Sequence, residues 1–255
     1  MFDTAPDARS HLPIHVARLA ERNGWRAEQY GETVSGIPLT AWWPSAAPTR
    51  VVWAAIHGEE MTTAQAAHQL LRTVHAEDAC AVVVPVANPD GLLAGTRQNA
   101  NGVDLNRNFV GASWRADPSP TFWPTSMTRT DERRTLLSSP GTHPGSEPEV
   151  AALCALVERV QPATVVDLHA PLECVIAFDD AAVPLAERLA EPAGLRIVRE
   201  LDSPTPGDSA SWCHEHGIAC VTYEFEAAAF APLWHRHKAA MGRAITPLPR
   251  PVRGA

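Results

Sequence analysis

Four consecutive residues carry the first chemical signal in this chain: His57-Gly58-Glu59-Glu60. They follow Val51-Val52-Trp53-Ala54-Ala55-Ile56, a run whose β-branched and aromatic residues read as a buried strand. Met61 begins a helical pattern. An imidazole and a carboxylate at a strand-to-helix turn can aim at one point, and Gly58 lets the backbone bend tightly there. One nitrogen and one oxygen donor together suit a divalent metal, with zinc favoured. Two further apolar runs end in chemistry-bearing side chains. Thr164-Val165-Val166-Asp167-Leu168-His169 ends in an imidazole, and Ile218-Ala219-Cys220-Val221-Thr222-Tyr223-Glu224 ends in a carboxylate. His57, Glu60 and His169 make a His2Glu set, the ligand count of a catalytic zinc site with one position left open. Zinc there would polarise a carbonyl and lower the pKa of water. Glu224 is the candidate general base, able to take a proton and pass it to a leaving nitrogen.

These residues need a frame that brings strand ends together. Strands are predicted over 37–43, 51–56, 81–86, 164–169 and 218–224, with Pro38 placing the first near a sheet edge. Helices are predicted over 62–75, 183–193, a short stretch after Pro206-Gly207-Asp208, and 230–244. Another is expected after Ser146-Glu147-Pro148-Glu149, a Ser-x-x-Glu capping box. Strands alternating with helices predict an α/β fold, one sheet with helices on both faces, and such sheets place their sites beyond the carboxyl ends of the strands. Tyr30-Gly31 reads as the start of a loop. Residues 112–145 show no periodicity and read as a functional rim or a mobile segment. The expected organisation is an N-terminal extension over 1–29, one catalytic domain over 30–245 and a tail over 246–255.

The 255 residues are 45% apolar and carry a formal charge of −8. The acidic balance predicts no nucleic-acid partner, and the apolar runs are too short for a membrane partner. Asp3 and Asp7, with no apolar stretch around them, predict no secretory signal and a cytoplasmic protein. The five cysteines follow no regular spacing and read as buried thiols, leaving at most a Cys174–Cys213 bridge open. A small peptide is the expected partner. The sequence leaves a homodimer open.

Asn88-Pro89-Asp90-Gly91, Arg97-Gln98-Asn99 and Gly102-Val103-Asp104-Leu105-Asn106-Arg107-Asn108-Phe109 go further. On these stretches the chain resembles the zinc carboxypeptidase family, from Tyr30 to about Phe225. The resemblance implies a single mixed, twisted sheet with helices on both faces and one zinc ion per chain. It assigns the metal to His57, Glu60 and His169, with Glu59 as spacer, and the base to Glu224. Glu226, two residues further, is the competing carboxylate. The family pattern further implies that Arg97 stabilises the oxyanion, that Asn106 and Arg107 grip a terminal carboxylate, and that Asp104 stands behind His57. An arginine fork suits a carboxylate because it bonds both oxygens at once. Family members also tend to a cis bond after the third ligand, here Ala170-Pro171, where proline reduces the cost to roughly 0.5–1 kcal/mol.

Within the family, Gly95-Thr96-Arg97, Pro144 to Glu149, Pro171-Leu172 with Cys174, and Ser211-Trp212-Cys213 resemble the bacterial amidases that cut γ-D-glutamyl–meso-diaminopimelate bonds. That branch implies a murein tripeptide substrate and a role in cell-wall recycling. Asp208 is then a candidate partner for the side-chain ammonium of diaminopimelate, or simply a helix N-terminal carboxylate. One departure is plain. The tyrosine the family places over the substrate, nine residues before the Trp of Ser-Trp-Cys, is Ser203 here. The alternatives are a general zinc carboxypeptidase, a zinc deacylase of the desuccinylase or aspartoacylase type, and a metal-free binding protein on the same fold.

Overall fold

The computed structural model describes residues 14–123, 134–201 and 204–247. In chain order the elements are α1 (Ile14–Arg22), β1 (Arg26–Glu32), β2 (Pro38–Trp43), β3 (Arg50–Ala54), α2 (Met61–Thr73), β4 (Ala81–Val84) and α3 (Pro89–Ala94). A 3-10 turn at Leu105–Arg107 leads to β5 (Ser119–Trp123), β6 (Arg134–Ser138), α4 (Pro148–Val160), β7 (Thr164–His169), β8 (Leu172–Ile176) and α5 (Val183–Ala190). Then come β9 (Arg196–Val198), α6 (Ser209–Glu215), β10 (Ala219–Glu226) and α7 (Phe230–Ile245).

Eight strands form one sheet in the order β1-β2-β4-β3-β7-β10-β8-β9, and β5 and β6 pair separately as a two-stranded ladder. The centre, β4-β3-β7-β10, is parallel, while β2 and β8 flank it antiparallel. The sheet is mixed, as the family resemblance implies.

Alternation along the three central strands decides which side chains reach the site. Val52 and Ala54, Val166 and Leu168, and Val221, Tyr223 and Phe225 join the core that contains residues of α1, α2, α5 and α7. Val51 and Trp53, Val165 and Cys220 join the opposite core, with residues of α4 and α6 and with Leu105 and Phe109. Side chains in a strand change face at every residue. Asp167, His169 and Glu224 therefore project on the α6 side. Trp53, Phe109 and Trp212 follow one another there at ring separations of 6.4 and 6.0 Å. Burying side chains of this size contributes about 1.5–3 kcal/mol each, which fixes the 97–109 segment to the sheet.

Three readings of the sequence need revision. Residues 26–32 form a strand rather than opening a loop at Tyr30. This strand covers β2, which lies near the sheet edge, one strand in from it. Pro38 is the first residue of β2, where a missing N–H is tolerated. The box at Ser146 does not cap α4: Glu147 is the N-cap, without a side-chain bond, and the Ser146 hydroxyl donates to Glu147 Oε1. Part of the 112–145 stretch is the β5–β6 ladder. All five cysteines are free. Residues 1–9, and the tail beyond Pro247, lie outside the described residues.

Candidate metal centre

Glu60 occupies the N-cap of α2, a position that favours Ser, Thr, Asp or Asn, and its side chain caps nothing. Thr63 holds the turn instead, accepting the N–H of Ala55 (2.9 Å) and donating to the Glu60 carbonyl (2.8 Å). That frees the Glu60 carboxylate. Its Oε1 lies 2.7 Å from His57 Nδ1, its Oε2 lies 3.1 Å from His169 Nδ1, and Oε2 also accepts the N–H of Ala170. Gly58 is required by crowding rather than by an unusual φ. A Cβ there would stand 1.9 Å from the Gly91 carbonyl carbon and 2.2 Å from the Leu92 nitrogen. The left-handed residue of the turn is Ala55, with φ 51°.

The two facing nitrogens, Nδ1 of His57 and of His169, are 3.2 Å apart. Two imidazole lone pairs at that distance need a positive charge between them. Nitrogens held at about 2.0–2.1 Å from one ion in tetrahedral geometry stand roughly 3.3 Å apart, so the donor set fits zinc. The ligand atoms of His57, Glu60 and His169 all fall within 4.8 Å of one another, and all three residues are buried. Burial opposes charge on His169, yet Asp167 and Glu60 raise its pKa well above the usual histidine range. Burial likewise opposes the Glu60 carboxylate, and His57 and His169 hold its pKa well below the ordinary value.

Asp104 is fully buried and stands behind His57, with Oδ1 3.2 Å from His57 Nε2. The same oxygen accepts the N–H of Asn106 (3.0 Å), and Oδ2 accepts Nε of Arg97 (2.7 Å). Burial would raise its pKa, but Arg97 and then His57 hold it well below the carboxylate range. Arg97 Nη1 stands 3.8 Å from Glu60 Oε1, so this guanidinium borders the candidate metal ligands. Arg107 is buried, donates to Ser119 Oγ and to the Asn106 carbonyl, and feels the charges of Asp104, Arg97 and Asp208. Burial lowers its pKa. Asn106 Oδ1 accepts the N–H of Ser209 (2.8 Å).

Glu224 sits opposite His169 in the β7–β10 register and opposite Cys174 in the β8–β10 register. Burial pushes it up to about 7, with His169 drawing it down and Glu60 pushing it up. Its Oε2 accepts the N–H of Leu172 (3.2 Å). Glu226 has other commitments, to His237 Nε2 (2.5 Å) and Arg236 Nη1 (3.4 Å). Ala170–Pro171 is cis, as expected. Asp208 is the N-cap of α6, with Oδ1 accepting the N–H of Ser211 (2.7 Å) and Oδ2 bonded to the Thr205 hydroxyl. Ser203 lies outside the described residues.

Two groups escaped the sequence reading. Asn108 donates to the carbonyls of Pro140 and His143 and to Ser146 Oγ, and accepts the N–H of Glu147. It thereby ties the 97–109 segment to the entry of α4. Asp167 faces His169 from behind, Oδ2 to Nε2 at 3.0 Å. An aspartate two residues before a ligand histidine on one strand face was the available signal.

The zinc carboxypeptidase family pattern matches residues 13–183. Murein peptide amidase A of Escherichia coli (strain K12) is 39% identical over 201 residues, covering 78% of this chain and 80% of that protein. Its namesake in Vibrio campbellii is 35% identical over 198 residues, covering 76% and 77%. The crystal structure of murein-tripeptide amidase MpaA from Escherichia coli O157 is similar with a TM-score of 0.76 at 34% identity, over 88% of this chain and 93% of that one. Carboxypeptidase A from Helicoverpa armigera shares the fold, with a TM-score of 0.68 at 18% identity over 95% of this chain and 72% of its own.

Proposed function

This chain belongs to the zinc carboxypeptidase family, and on that premise we propose that it is a zinc amidase releasing diaminopimelate from L-Ala-γ-D-Glu-meso-diaminopimelate. The observation that carries the substrate is the 39% identity to a murein peptide amidase over about four fifths of both chains. The residues beside the candidate metal ligands agree in chemistry. Buried Arg107 and the amide of Asn106 offer a clamp for a terminal carboxylate, as a substrate cut next to its last residue requires.

His57, Glu60 and His169 would hold the zinc. When bound, zinc polarises the scissile carbonyl and makes water easier to deprotonate. Glu224 takes the proton of the attacking water and delivers it to the departing nitrogen of diaminopimelate. A buried carboxyl with a pKa pushed up to about 7 suits both halves of that task. Arg97, aligned by its bond to Asp104, places positive charge where the carbonyl oxygen becomes an oxyanion. Asp104 holds the far nitrogen of His57 and so fixes the ring. Every residue in this scheme comes from one chain. We place the reaction in the cytoplasm, as a step of cell-wall recycling. Among the described residues no helix is long and apolar enough to cross a membrane.

The test is a product assay. Murein tripeptide, a peptide of the same residues joined through the α-carboxyl of D-Glu, and an ordinary α-linked peptide are each incubated with the zinc-loaded protein, with and without chelator. Release of diaminopimelate from the tripeptide alone, abolished by chelator and restored by zinc, is expected. Equal cleavage of the ordinary peptide would move the protein to the general carboxypeptidases.

A further inference from the structure

Resting on His57, Glu60 and His169 as metal ligands, we infer that Asp167 is a positioning residue for His169, and that Ser209 ties this support to the carboxylate clamp at Asn106. Asp167 lies two residues before His169 on β7, so both side chains project on one face of the sheet. It is fully buried. Its Oδ2 sits 3.0 Å from His169 Nε2 and accepts the hydroxyl of Ser209 at 2.6 Å. The other oxygen, Oδ1, has no hydrogen-bond partner among the described residues, and neither has His169 Nε2, so the 3.0 Å approach of Oδ2 to that nitrogen is an ion-pair contact without hydrogen-bond geometry. Aspartate is disfavoured in strands, and a buried carboxylate with an unpaired oxygen is costly. A residue kept there only for shape would be better served by a neutral side chain.

The geometry supplies a reason for the charge. A ligating histidine is held in orientation through its second nitrogen, and a carboxylate behind it raises its basicity as a ligand. His57 has Asp104 in this place, and His169 has Asp167. The two supports meet at one residue. Asn106 gives its N–H to Asp104 and accepts the N–H of Ser209 on its side-chain oxygen, while the Ser209 hydroxyl reaches Asp167. A substrate carboxylate drawn onto Asn106 thus pulls on the groups that aim both histidines.

The experiment uses the full chain as Asp167→Asn, Ser209→Ala and the double variant. Zinc affinity is measured by competition with a chromogenic chelator, and ligand geometry by the visible spectrum of the cobalt(II)-loaded protein. Asp167→Asn keeps size and an acceptor for Ser209, and is expected to weaken zinc binding 10–100-fold and to change the cobalt spectrum. Ser209→Ala is expected to weaken zinc by less than tenfold, and the double variant to be no worse than Asp167→Asn alone. Asp167→Asn with the affinity and spectrum of the parent protein would overturn the inference, as would a mere loss of melting temperature with zinc affinity intact. If Asp167→Asn fails to fold, Ser209→Ala decides: unchanged zinc affinity sinks the inference, and weakened affinity supports it. Additive losses in the double variant would overturn the part given to Ser209. Failure of the parent protein to bind zinc would instead remove the metal reading itself.

Discussion

At the scale of single residues, Glu224 offers the most direct test, because only its ionised form can take a proton. Burial pushes its pKa up to about 7, with His169 opposing and Glu60 adding. A divalent cation on the neighbouring ligands adds positive charge and favours the carboxylate. The ionised fraction falls as pH drops through the pKa, so kcat/KM should fall on the acid side of a limb at or below about pH 7. Glu224→Gln should lower kcat by roughly 10²–10⁴-fold, remove that limb and leave zinc content unchanged. A rate that climbs as pH falls from 7 to 5 would contradict the role. The three candidate ligands could be picked out in the sequence because imidazole and carboxylate at strand ends have few other reasons to be there. Asp167 was easily passed over, because Val166 and Leu168 on either side disguise it as part of a buried run, although its place two residues before His169 was a signal. Glu224 could be told from Glu226 by family spacing alone. The structure adds the physical difference, since Glu226 is spent on His237 and Arg236 whereas Glu224 stands beside His169.

At the scale of elements, the turn from β3 to α2 carries two of the three proposed ligands, and its form depends on contact with α3. Gly58 was read as a residue that eases a bend, but its real constraint lies across the turn. A methyl there meets the backbone of Gly91 and Leu92, which no side-chain motion can relieve. Gly58→Ala should cost about 3 kcal/mol or more in urea unfolding of the metal-free protein and should abolish zinc binding at micromolar metal. Gly242→Ala is the matching control. It lies within α7, where a Cβ meets nothing within 4 Å, and the change should stabilise by about 0.5–1 kcal/mol. Equal behaviour of the two variants would show that glycine content matters and contact does not. The central strands could be read because their apolar runs are continuous. Strand β1 could not, since Arg26-Ala-Glu-Gln-Tyr-Gly-Glu32 is polar and half exposed and joins the sheet through β2 alone. Strands β8 and β9 are five and three residues long, too short for periodicity to mark.

At the scale of the whole molecule, the site is a product of sheet order more than of any local motif. His57 and His169 are far apart in the chain, and the parallel β3–β7 pairing brings them together. Alternation of strands and helices could foretell the layers, but not that β7 lies directly beside β3 and β10 directly beyond β7, because long-range pairing leaves no local trace. This dependence makes zinc a reporter of the intact sheet. The unfolded chain holds its ligands apart, so zinc binding stabilises the folded state by RT ln(1 + [Zn]/Kd). At free zinc of 100 Kd this amounts to about 2.7 kcal/mol, and each further tenfold adds about 1.4 kcal/mol. For a domain of this size, about 2–4 °C of melting temperature accompanies each kcal/mol. Zinc at 100 Kd should therefore raise the melting temperature by about 5–11 °C over the chelated protein. Ligand protonation must be reversed for the metal to enter, and Asp167 and Glu60 raise the pKa of His169 well above the usual range. The increment should accordingly shrink as pH falls, with protons released on binding. Scanning calorimetry in buffered zinc at several pH values measures both effects. A melting temperature indifferent to zinc would mean that the three ligands do not act together in the folded protein. A zinc increment that grows toward acid pH would mean that the metal does not displace a proton from His169.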